Sequence, residues 1–169
     1  MADPADGPLG TVNKVLDGIA WLSMLAAGIA VTVLIAIFGW LVFGRYILND
    51  TPTWVEQLSL LLINWITFLG GAVGVRRRTH LSIDFIREGF PPVPRMIMRC
   101  LADLSVIAFG GFMAWQGWIM VSTSFDREIP MLGLAESWRD LPLFLSGIMI
   151  MLFAATDLAG HAVAPDRKA

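Results

Sequence analysis

The chain has 169 residues, 56% of them hydrophobic and 15% charged, with a formal net charge of −2 and a mean hydropathy of +0.68. Soluble domains average roughly 25% charged residues, whereas four windows here, 18–44, 57–75, 104–125 and 141–156, hold no Asp, Glu, Lys or Arg at all. The 12 basic and 14 acidic residues all crowd into the rest of the chain, which excludes a soluble enzyme of this size.

As helices the windows run roughly 24–40 Å against a hydrocarbon core of about 30 Å, and their continuous apolar runs lack the period-two alternation of a membrane barrel. The expected fold is therefore all-α and integral to the membrane, a single domain over 1–169 with four transmembrane helices at 17–44, 54–76, 100–125 and 140–163. Residues 1–13 read as a loose polar tail. The first span is too long for a cleaved signal peptide, and its approach carries only Lys14 against Asp3, Asp6 and Asp17. Trp21 and Trp40 suit its two interfaces. A short loop over 45–53, with the turn formers Asn49, Asp50 and Pro52, closes a helical hairpin.

Span two opens on a capping-box pattern, Thr53 with Glu56, beside the interfacial Trp54. Glu56 has the alternative of pairing with Arg45 across the hairpin mouth. The span ends in Arg76-Arg77-Arg78, favourable at a helix C-terminus. Gly70 and Gly74 form a GxxxG, and Gly110, Ala114 and Gly117 repeat small residues in span three, so spans two and three are able to approach closely. Asn64 and Gln116 lie at similar depth in these spans, which suggests an amide pair between them.

Between these spans, residues 80–89 set Leu81, Phe85 and Ile86 beside His80, Asp84, Arg87 and Glu88, the pattern of a short amphipathic interfacial helix. His80 and Asp84 are four apart, a spacing that suits metal ligands. With no further His or Cys nearby they read as a structural contact instead. The third loop carries the apolar run Ile129-Pro130-Met131-Leu132-Gly133-Leu134, which fits either a membrane-dipping turn or burial against another subunit. Lys14, the six arginines between spans two and three, Arg167 and Lys168 place nine of the 12 basic residues on one side, so both termini are expected in the cytoplasm.

Chemistry is sparse. No P-loop, HExxH, GxSxG or GxGxxG occurs, and two histidines with the lone Cys100 cannot build a Cys/His zinc site or a disulfide. Neither enzymatic activity nor a cofactor, metal or nucleic-acid partner is expected. Ion-coupled transporters commonly hold ionisable groups inside the bilayer, and these windows have none, which points to a supporting subunit that meets lipid and protein partners.

From Arg45 to Asp84 the sequence resembles the small membrane (Q, DctQ-like) subunit of tripartite ATP-independent periplasmic (TRAP) transporters. The shared pattern is Arg45-Tyr46 ending span one, Trp54-Val55-Glu56 opening span two, Trp65 in mid-span, Gly70 near its end, the Arg-rich exit, then His80 and Asp84. Ile129-Pro130 is similar to the family's external Ile-Pro. The family often has a second acidic residue where this chain has Gln57. The resemblance implies a multi-pass protein of the bacterial inner membrane that braces a large permease (M) subunit. In such systems the large subunit holds the substrate and sodium sites and works as an elevator, importing an organic anion such as a carboxylate delivered by a periplasmic binding protein (P). The competing classes are a self-sufficient homo-oligomeric transporter or channel, and the membrane anchor of an enzyme complex. His80 and His161 lie outside every charge-free window, poorly placed for a buried haem.

Overall fold

A computed structural model describes residues 8–50, 52–77 and 92–163. Four helices account for nearly all of it: α1 (Pro8–Phe43), α2 (Trp54–Arg76), α3 (Pro92–Thr123) and α4 (Ser137–Val163). Each contains a stretch long and apolar enough to cross a membrane, at Gly10–Leu48, Trp54–Arg76, Leu101–Thr123 and Ser137–Thr156. The interfacial helix expected over 80–89, with His80 and Asp84, lies outside the described residues.

Two boundaries differ from expectation at the first helix. It starts at Pro8, not near residue 17, so 8–13 is helix and not loose tail. Proline suits a first turn, where its missing N–H has no helical partner to lose. The helix also runs past Phe43 into a π-helical turn, Gly44–Leu48, which carries Arg45 and Tyr46 out of the expected loop. Asn49 ends it in the left-handed region at φ 55°, a conformation asparagine tolerates better than most residues. Gly44 suits the crowding there, because a methyl on it would stand 3.0 Å from the Asp50 carbonyl oxygen and 3.3 Å from the Pro52 ring.

The helices run up and down, so that α1 begins, and α2 and α4 finish, at one end of the bundle, called here the terminal end. The loops 49–53 and 124–136 occupy the opposite, loop end. In space the packing order is α1, α2, α4, α3, with α1 meeting α4 mainly at the terminal end around Leu16, Ala20, Val73 and Phe153. Helices α2 and α3 do not form a packed pair, which corrects the expected close approach of spans two and three. The small residues of α3 instead meet α4. A methyl on Gly147 would stand 2.5 Å from the Ala114 nitrogen, and one on Gly117 would stand 2.7 Å from the Phe144 Cα. Gly110 lies equally close to Gly147 and Met151. Backbone meets backbone along this seam, the closeness that small residues permit in membrane helices. Gly70, by contrast, has nothing within 4 Å of where its methyl would lie.

Candidate functional site

Polar contacts between helices concentrate toward the two ends of the bundle. At the terminal end, Arg76 in the last turn of α2 donates from Nε and Nη2 to Asp17 Oδ1 of α1, at 3.0 and 2.8 Å. Its Nη2 also reaches Asn13 Oδ1 at 3.1 Å. The guanidinium carbon lies 5.7 Å from the centre of the Phe153 ring of α4, within cation–π range. One arginine thus ties three helices. Its side chain is only 12% exposed, while that of Asp17 is 66% exposed, so the packed guanidinium is the more valuable half of the pair.

Toward the loop end, the first turn of α4 is held against α2 from two levels. Arg139 Nη2 donates to Gln57 Oε1 at 2.9 Å. Trp65 Nε1 donates to the Trp138 carbonyl oxygen at 3.1 Å. That carbonyl is available because Pro142, four residues on, has no N–H to return to it. Pro142 is fully buried, and its ring fixes the place where the indole hydrogen bond is accepted. Gln57 and Trp65 are about 12 Å apart along α2, yet their partners are adjacent on α4. The start of α4 is therefore inset from the start of α2.

The loop 124–136 folds over this end as a small hairpin. Ile129 N–H donates to Leu134 O and Glu136 N–H to Arg127 O, both at 2.7 Å, around a Glu128–Ala135 bridge. Its turn uses two left-handed residues, Met131 at φ 67° and Gly133 at φ 62°. Ile129 is buried at 1% exposure within the chain's own fold, while Pro130, Met131 and Leu134 remain exposed. Glu136 stands 3.5 Å from Arg127 and 3.9 Å from Arg139, linking the hairpin to the α4 clamp.

Several expected contacts are absent or rearranged. Thr53 precedes α2 in helical, not extended, backbone and makes no capping bond; its hydroxyl donates to the Met131 sulfur at 2.8 Å, so the Thr53–Glu56 box does not form. Glu56 and Arg45 are both exposed, and no ion pair joins them. Tyr46 is 78% exposed on the π-helical turn, and Trp54 is partly exposed at the start of α2. Gly74 is half-buried. No hydrogen bond joins Asn64 to Gln116, because their helices are not paired: Asn64 is half-buried on α2 and Gln116 is exposed on α3. Among the described residues singled out in the sequence, Trp65 hydrogen-bonds to a carbonyl of another helix, and Gly110, Ala114 and Gly117 meet α4. Gln57, Arg76, Pro142 and Gly147 complete the interhelical contacts and were not singled out as sites. Pro142 carried a readable signal, since an intrahelical proline always frees the carbonyl four residues before it. Among the described residues, no cluster of three or more His, Cys, Asp and Glu could hold a metal ion.

Residues 34–163 match the family described as the DctQ component of tripartite ATP-independent periplasmic transporters. The chain is 25% identical over 118 residues to the sialic acid TRAP transporter small permease protein SiaQ of Vibrio cholerae, covering 70% of this chain and 68% of that one. It is 31% identical over 87 residues to the C4-dicarboxylate TRAP transporter small permease protein DctQ of Pseudomonas aeruginosa, covering 51% and 41%. It is also 27% identical over 137 residues to the sialic acid TRAP transporter permease protein SiaT of Haemophilus influenzae, covering 78% of this chain but 22% of that longer one. With four apolar helices and a family match over most of its length, the chain belongs to the DctQ family and is a multi-pass bacterial inner-membrane protein, a small permease subunit of a TRAP transporter.

Proposed function

We propose that this subunit is the fixed brace of its transporter: it holds a large permease subunit in the membrane while that partner performs sodium-coupled import of an organic anion delivered by a periplasmic binding protein. The observation that carries the reading is the family match joined to the layout of charge. The windows 18–44, 57–75, 104–125 and 141–156 are free of ionisable residues, and the clamps built on Arg76 and Arg139 sit outside them. A bundle tied in this way is suited to rigidity. Moving an ion and an anion through it would need polar groups at depth. The relatives SiaQ and DctQ are named for sialic acid and C4-dicarboxylates, which are both carboxylates. In SiaT a stretch similar to this chain forms part of a longer permease, which supports a permease as the neighbour.

In this reading both termini face the cytoplasm, the whole chain is one membrane domain, and 80–89 lies along the inner surface as a further anchor. Mild solubilisation of the tagged subunit, co-expressed with its transporter, tests the proposal. A large permease should copurify at one-to-one stoichiometry, and a chain that purifies only as a homo-oligomer would overturn it. A cysteine at Asp50 should react with a membrane-impermeant thiol reagent from outside the cell and one at Arg77 should not; the reverse pattern would overturn the orientation.

A further inference from the structure

Many hydroxyl side chains in the spans are satisfied along their own helices, although the buried Ser137 hydroxyl is not. Ser23, Thr32, Ser59, Ser105, Thr123 and Thr156 each donate to the carbonyl four residues back. A carboxamide, with two donors and an acceptor, is not satisfied in this way. Among the described residues neither Asn64 nor Gln116 has a hydrogen-bond partner, but Asn64 is half-covered by the chain itself whereas Gln116 is exposed. It lies four residues, about 6 Å, from the centre of the Leu101–Thr123 span, well inside a hydrocarbon half-thickness of about 15 Å. Lipid tails offer it nothing, and an unsatisfied polar group at that depth is costly.

The surroundings of Gln116 are equally unpartnered. Among the described residues, helix α3 packs chiefly on α4 through its glycine seam. Its other side presents Phe109, Phe112, Trp115 and Ile119, all exposed, around the amide. The exposed stretch of α1 differs, because Leu25, Ile29 and Ile35 surround only Thr32, whose hydroxyl is already bonded to Gly28 O, and lipid suffices there. In SiaT the sequence similar to this chain is covalently part of a much longer permease, which places permease helices beside such a bundle as its available neighbour.

We propose that the outer face of α3, centred on Gln116 and flanked by Phe109, Phe112, Trp115 and Ile119, is the surface that meets the large permease subunit, with a polar group of a permease helix bonded to the Gln116 amide. The inference rests on the bracing function above and adds to it which face of the bundle is used.

The test uses the full transporter, with this chain co-expressed with its large subunit. A photo-crosslinking phenylalanine analogue is placed at Phe112 on α3 or at Ile35 on α1, and Gln116→Leu is measured separately. The expected result is a crosslink to the large subunit from position 112 and none from 35. Gln116→Leu should weaken association about three- to twentyfold, the range of a single interhelical hydrogen bond in a membrane, while the isolated subunit keeps its thermal midpoint. Retention of the large subunit with no crosslink from 112 and no effect of Gln116→Leu would overturn this inference and leave the bracing function standing. A crosslink from 112 to a second copy of this chain would overturn it as well. Failure of the wild-type chain to copurify with a large subunit would remove the bracing function and this inference together.

Discussion

Gly147→Ala perturbs the α3–α4 seam at its tightest point. The added methyl would lie 2.5 Å from the Ala114 nitrogen, 2.9 Å from its Cα and 2.9 Å from the Gly110 carbonyl oxygen, all backbone atoms that cannot rotate aside. Ordinary contact begins near 3.4 Å, so α3 and α4 must separate by about 1 Å. A gap of that size forfeits roughly a quarter to a half of each dispersion contact beside it, and overpacking of this kind costs about 1–3 kcal/mol. Replacing glycine by alanine in a helix returns up to about 1 kcal/mol of propensity, leaving a net loss of up to about 2 kcal/mol. Gly70→Ala gains the same propensity and meets nothing within 4 Å. It should therefore be neutral or slightly stabilising in the isolated subunit. Unfolding of the two variants in detergent, followed by tryptophan fluorescence, reads the difference, and spin labels on α3 and α4 read the separation. Equal midpoints for Gly147→Ala and wild type, or an equal loss for Gly70→Ala, would refute the seam.

The end clamps yield further expectations. Trp65→Phe removes the donor to Trp138 O and should cost about 1 kcal/mol. In a Pro142→Ala background an amide N–H becomes available to that carbonyl, so the cost of Trp65→Phe should shrink in a double-mutant cycle of unfolding free energies. Arg76→Leu, which empties a mostly buried guanidinium site shared by three helices, should destabilise by about 2–3 kcal/mol in thermal unfolding. Asp17→Asn, at a partner that is 66% exposed, should cost under about 1 kcal/mol. Gln57→Glu would give the Arg139 guanidinium an anionic acceptor, making the contact an ion pair, and should stabilise by about 1 kcal/mol, a gain lost on acidification through the range where carboxylates protonate.

The four spans were legible because charge cannot enter the bilayer cheaply, and every charge-free window became a helix. Helix ends were less legible. Pro8 starts α1 early and Asn49 ends it late, because polar residues outside the hydrocarbon neither forbid nor require helix. The small residues of α3 were readable as a surface for close approach, but spacing says nothing of the partner. Gly147 lies on α4 and not on the neighbouring span in sequence. The Thr53–Glu56 pattern failed because a contact 78 residues away, at Met131, claimed the hydroxyl. The arginines at 76–78 announced themselves as topology signals, whereas the tie from Arg76 to Asp17 and Phe153 depends on helices that meet only in the folded bundle. Trp65 was singled out by family pattern, and its partner carbonyl was hidden in an ordinary rule about proline.

Reconstituted transport tests the central claim most directly. Proteoliposomes carrying the large permease, with its binding protein supplied outside, are compared with and without this subunit, and with this subunit alone, for uptake of the carboxylate under an inward sodium gradient. Uptake is expected when all three proteins are present, with a severe loss when this subunit is omitted and none from this subunit alone. Sodium-driven flux through the isolated subunit, or undiminished uptake in its absence, would contradict that claim.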